Sequence, residues 1–229
     1  MTIRFTVGLA SLFFFGLAVP AFAAEGDVPA CPEVTAALQP YLDQYKMAGI
    51  IGIIAEKTGK VHFKNVMGYA DVEAKKPIGE DNVFWIASMT KMFAGASVMM
   101  LVDEGKLSLD DPVTKHIPQL SKWMVVEEKD SAQILLKPLV RPVTLRHLLS
   151  HTSGLAGSSE LNQVAGADST PLKVRALSSV TGPLLAQPGD KYAYGTQSMN
   201  IAARVVEIVS GMPYEEVLQK RFFDPLGMK

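Results

Sequence analysis

Ser88 and Lys91 stand three residues apart, in the order Ser-Met-Thr-Lys, at the head of a long apolar stretch. On a helix this spacing is a rotation of about 300°, which puts both side chains on one face within a single turn. A lysine buried among methionine, phenylalanine and valine would lose hydration, and its pKa would fall toward the range where the free amine accepts a proton. A neutral amine beside a hydroxyl makes an alcohol nucleophilic at neutral pH. The spacing alone is common, so the surrounding sequence has to decide.

Other residues that could do chemistry read as structural. His147 and His151 lie at i and i+4, as helical metal ligands sometimes do. No glutamate sits where a metalloprotease needs one and no third ligand is near, so they are expected to serve hydrogen bonds around Ser150-His151-Thr152-Ser153. Ser153 has no lysine three residues on. His62 is expected to point outward from a strand. Met89, Met92, Met99 and Met100 read as core filler. No metal and no cofactor is expected.

The elements that must position Ser88 and Lys91 follow from periodicity. Glu33 to Tyr45 carries Val34, Leu38, Leu42 and Tyr45 at helical spacing and reads as a surface helix. Ile50 to Ala55 is short, β-branched and apolar on both faces, the pattern of a buried strand. Thr58-Gly59-Lys60 is a turn into a second, antiparallel strand from Val61 toward Asp71. Lys91 to Glu104 is apolar on nearly every side, which predicts a helix buried at the centre, with Gly105 as its C-cap. Asp110-Asp111-Pro112 opens a short helix. Trp123 to Val126 and Ile134 to Leu136 flank a polar turn and form a small hairpin. Thr144 to Leu149 is a short helix ended by Ser153-Gly154. Residues 156–170 read as a surface loop, and Gln197 to Val209 and Tyr214 to Phe223 as two helices split by Gly211 and Pro213.

The chain opens like an export signal. Arg4 supplies a positive start, Val7 to Val19 is almost wholly apolar, and Ala21-Phe22-Ala23 has the small-x-small form of a cleavage site. The apolar run is short for a membrane span. Residues 1–23 are therefore expected to be a signal peptide and 24–229 one hydrolase domain, exported to the periplasm or secreted, with no stable span after cleavage. Val28-Pro29-Ala30-Cys31 is only faintly like a lipoprotein box. Cys31 is the only cysteine, so no intrachain disulfide can form. A net charge of −1 with both signs interspersed gives no reason to expect nucleic acid as a partner.

The context around Ser88 resembles a known family. Phe84-Trp85-Ile86-Ala87-Ser88-Met89-Thr90-Lys91, Gly105-Lys106-Leu107-Ser108-Leu109-Asp110-Asp111-Pro112-Val113 and Thr144-Leu145-Arg146-His147-Leu148-Leu149-Ser150-His151-Thr152-Ser153-Gly154-Leu155 are similar to segments of the serine β-lactamase-related hydrolases. That group includes class C β-lactamases, D-alanyl-D-alanine carboxypeptidases and carboxylesterases. Pro188 to Tyr194 and Asp224 to Lys229 resemble it too. The resemblance implies an α+β fold: an antiparallel sheet flanked by helices, beside a mostly helical lobe. It also implies strands from both ends of the chain, so the sheet is expected to be incomplete here, as in a C-terminally truncated hydrolase.

By resemblance, Ser88 would be the nucleophile that becomes acylated. Lys91 would accept its proton, or would hold a tyrosine in a reactive state. Tyr194 falls at the family's Tyr-x-Asn tyrosine, with Tyr192 a weaker alternative, and would relay protons to the leaving group and later to water. The Ser88 N–H would be one oxyanion donor. Thr196 replaces the family's Asn as a substrate contact, and its shorter hydroxyl makes fewer bonds than an amide. No Lys-Thr-Gly or His-x-Gly follows Tyr194. The expected substrate is a small molecule or a peptidoglycan peptide carrying an ester, β-lactam or D-Ala-D-Ala-like amide bond. The alternative is a catalytically impaired fragment, or a penicillin-recognising protein without turnover.

Overall fold

The computed structural model describes residues 28–156 and 170–228; the expected signal peptide and most of the expected 156–170 loop lie outside them. It divides into two units, one ending at Phe84 and one beginning at Trp85.

The first unit is built on helix α1, Pro32–Asp43, and strands β1, Gly49–Ala55, β2, Val61–Asp71, and β3, Lys76–Pro77. Pro32 opens α1, where its missing N–H costs nothing. The strands are antiparallel in the order β1-β2-β3, with Gly49 opposite Gly68 and Ile51 opposite Val66. The sequence reading anticipated only the first two. Asn65, buried in β2, fastens the helix to the sheet. Its Oδ1 accepts from the Cys31 N–H (3.1 Å), and its Nδ2 donates to the Cys31 carbonyl (3.1 Å) and to Thr35 Oγ1 (2.7 Å). All of this amide's bonding groups are therefore used at the helix start, where N–H groups need partners. The expectation of a fully buried β1 is corrected: Ile53 is 57% exposed and Ile54 is also exposed. Within this unit α1 is the helix packed on the sheet, and one helix cannot cover both faces of three strands.

The second unit carries the core. Its main helices are α2, Thr90–Asp103, α3, Leu145–Leu149, α4, Leu172–Leu177, α5, Gln197–Ser210, and α6, Tyr214–Leu218, with the hairpin β4, Val125–Lys129, and β5, Ile134–Lys137. Helix α5 lies at the centre and packs against α2, α3, α4 and α6. Ile201, Ala202, Val205 and Val206 form its buried stripe. Gly211 ends it in the left-handed conformation (φ 70°). Trp123 is buried with its indole N–H donating to the Ser179 carbonyl (3.0 Å).

Two of the sequence segments singled out above form one frame. Pro112 bridges to Thr144, and the Val113 N–H donates to the Val143 carbonyl (2.9 Å). The Arg146 N–H donates to the Leu109 carbonyl (2.8 Å), and the guanidinium grips both oxygens of Asp110 (2.8 and 3.0 Å). Thr144 and His147 make a reciprocal cap on α3: each side chain accepts from the other residue's backbone N–H.

Three expectations for this unit need correction. Helix α2 is not buried on all sides; only Ala94, Ser97, Val98 and Leu101 are. Met89, just before it, and Met92 and Met99 within it are not core filler, since they are 55%, 67% and 40% exposed, away from that packed face. Helix α3 ends before Ser153-Gly154, with Ser150 as C-cap and His151 already left-handed (φ 56°).

Candidate active site

Ser88 sits in a single 3-10 turn, Ala87–Met89, that runs directly into α2. Ala87 has a left-handed backbone (φ 45°), unusual for a residue with a Cβ. Such strain collects where a chain must aim a group. Lys91, in the first turn of α2, reaches back so that Nζ donates to Ser88 Oγ at 3.1 Å.

The other half of the cluster lies just before and at the N-cap of α5. Thr196 is that N-cap, but its side chain makes no capping bond. Its Oγ1 instead accepts from Lys91 Nζ at 3.5 Å. The Tyr194 ring stands over the same ammonium, 5.0 Å from nitrogen to ring centre. Contact with Ser88, then the Lys91 hydrogen bond and charge, hold the Tyr194 phenol below its ordinary range. Ser88, Lys91, Tyr194 and Thr196 are thus brought together across more than a hundred residues of chain. Tyr192 is turned elsewhere and packs edge-on against His151.

The enclosure expected around Lys91 is absent, because Lys91 is only half-buried. Its apolar neighbours Met89 and Met92 face outward, so the ammonium meets oxygens and a ring face rather than a hydrocarbon wall. A cavity of about 490 Å³, lined among others by Val113, Trp123, Leu139 and Val143, contains none of the four site residues.

One participant was undervalued by sequence reasoning. His151 packs its ring on Tyr194, 4.7 Å between centres, and accepts from the Gly195 N–H through Nδ1 at 3.4 Å. Its role as a hydrogen-bonding residue was legible, but not its partner, which lies more than forty residues on. The left-handed turn at Ala87 left no signal, since alanine, unlike glycine or asparagine, does not mark such a turn.

A family model described as Beta-lactamase matches residues 34–229. The chain belongs to that family. Among curated relatives, lovastatin esterase of Penicillium rubens is 32% identical over 199 residues, covering 83% of this chain and 50% of the relative. Esterase EstB of Burkholderia gladioli is 30% identical over 201 residues, covering 82% and 47%. Among solved structures, EstCE1, described as a hydrolase with promiscuous acyltransferase activity, superposes with a TM-score of 0.71 at 27% identity, covering 86% of this chain and 51% of that one. The fold is therefore that of the β-lactamase-like α+β proteins. The chain spans about half the length of the curated relatives it matches.

Proposed function

We propose that the chain is an exported serine hydrolase that forms an acyl-enzyme at Ser88 and acts first on esters. The observation that carries this reading is the Lys91 ammonium, which joins Ser88 Oγ, Thr196 Oγ1 and the Tyr194 ring. Ser88 Oγ attacks the substrate carbonyl while its proton passes to Tyr194, the group whose phenol the site already acidifies. Lys91, as a cation, keeps the tyrosine in its reactive form. Tyr194 then returns the proton to the leaving alcohol and takes one from water for deacylation. The Ser88 N–H, which gives no backbone hydrogen bond among the described residues, is free to stabilise the oxyanion.

Esters are favoured over amides because the short Thr196 hydroxyl, which already accepts from Lys91, offers a substrate amide fewer groups than an asparagine side chain would. The curated relatives named as esterases support the same choice. Export rests on residues 1–23, with Ala21-Phe22-Ala23 as the cleavage site.

A second reading, recognition without turnover, draws on the openness of the cluster. Tyr194 is half-exposed, and Trp85, three residues before Ser88, is 93% exposed. Electrostatic catalysis gains most from a dry site. Treating the folded chain without residues 1–23 with p-nitrophenyl acetate and a fluorescent penicillin separates the two. Covalent label at Ser88 followed by release is expected, with acetate outpacing penicillin. Lys91→Ala and Tyr194→Phe should each slow labelling by about 10²–10⁴-fold. Label without release supports the second reading, and no label from either reagent sinks the first.

A further inference from the structure

His151 belongs to none of the roles assigned above, yet the chain spends an unusual backbone conformation on it. It follows α3 with φ 56°, in the left-handed region that residues with a Cβ enter only at a cost. From there residues 151–154 run beside residues 185–195. The Leu185 N–H donates to the Gly154 carbonyl (2.7 Å), Gly189 N–H to the Thr152 carbonyl (2.7 Å), and Ala193 N–H to the His151 carbonyl (2.8 Å). The approach is close enough that a Cβ at Gly154 would lie 2.1 Å from the Ala186 carbonyl oxygen. Ser153 Oγ and Ser198 Oγ, both buried, share a hydrogen bond of 2.9 Å that ties the same turn to α5.

The consequence falls on Tyr194. The residue before it donates its N–H to the His151 carbonyl, and the residue after it donates its N–H to His151 Nδ1 (3.4 Å). The imidazole ring then lies against the phenol ring, tilted 45°. One residue therefore holds the tyrosine's backbone on both sides and its ring on one face. We propose that His151 is the positioning residue of Tyr194, acting as a neutral clamp whose Nδ1 lone pair fixes the segment that carries the phenol over Lys91. The inference rests on the hydrolase reading for its kinetic consequence but not for its structural one.

The clamp requires an unprotonated Nδ1, because a proton there would face the Gly195 N–H donor to donor. Among the described residues, the titratable groups that face the ring are Lys91 from α2 and Tyr192 and Tyr194 from the segment before α5. Burial first and the Lys91 charge second push the imidazole below its ordinary value of 6.5. The clamp is thus closed at neutral pH and opens on acidification below that value.

Two measurements test it. In ¹⁵N-labelled unsubstituted protein, the Gly195 amide resonance should titrate with the His151 ring; a Gly195 amide indifferent to that titration overturns the clamp. In kinetics, His151→Leu should cut the acylation rate constant with p-nitrophenyl acetate by roughly 10²-fold, a misplaced-group effect, with reagent binding little changed. His151→Asn should restore most of the rate, since its carboxamide oxygen can accept from Gly195 and asparagine tolerates the left-handed backbone. A folded His151→Leu protein that acylates at the unsubstituted rate also overturns it. Should that variant not fold, the asparagine variant and the Gly195 titration decide. If the unsubstituted protein is never acylated, the hydrolase reading fails while the Gly195 titration still judges the clamp. If Tyr194→Phe is inactive and His151→Leu is not, the clamp fails alone.

Discussion

Helices α2 and α5 are each fourteen residues long, pack against one another, and each presents half of the site at or just before its N-terminus. They are held very differently. Helix α5 has a clear apolar stripe, buries eight residues, and keeps the Arg204–Glu207 pair (2.7 Å) off that stripe. Helix α2 is apolar nearly all the way round and buries four. A striped helix declares which face it will bury; a uniformly apolar one declares only that burial suits it. Small residues, Ala94 and Ser97, make the close face of α2, while Met92 and Met99 are left outward. The tyrosine thus rides on the deeply anchored helix and the serine on the shallowly anchored one.

The contrast can be broken by stability measurements. Ile201→Ala on α5 should lower the unfolding free energy by about 2–5 kcal/mol, the cost of a cavity in a filled core. Met92→Ala on α2 should change it by no more than about 0.5 kcal/mol. Equal losses in denaturant titrations would show that the two helices are anchored alike.

Acidification should narrow the contrast from the α5 side. His116, His147 and His151 all have pKa values pushed below 6.5, in each case chiefly by burial. A depressed histidine means that the unfolded chain takes up protons first. Stability is therefore full above about pH 6.5 and declines as pH falls from there toward each folded-state value. His147 caps α3, which packs on α5, so amide exchange should rise on α3 and α5 before α2. A denaturation midpoint flat between pH 7 and 5 would remove this distinction. The smallest expected effect is Thr196→Asn, which should raise amide or β-lactam turnover modestly relative to ester turnover. An unchanged ratio of the two rates would mean that position 196 serves only Lys91.

Much of the frame was legible because its signals are local. The short helix from Thr144 to Leu149, the breaks at Gly105 and Gly211, and the β4–β5 hairpin all follow from residues within a few positions of each other. The resemblance supplied Ser88, Lys91, Tyr194 and Thr196, and the fold brings those four together. What escaped were properties set by distant packing. Apolar spacing could not say that Ile53 and Met92 would face outward, nor that Lys91 would lie half-open. Asn65 looked like any strand residue until α1 started beside it. The two-residue strand β3 and helix α4 carry patterns too short to stand out.

Ala87 leaves one more consequence, for the history the chain could have had. Its left-handed angle delivers the chain to Ser88 and its N–H. Valine, isoleucine and threonine are nearly barred from that angle, whereas glycine and asparagine enter it with little penalty. Descendants of this gene should therefore spell position 87 with a short alphabet of small residues, policed by a dihedral angle and not by any bond to a substrate.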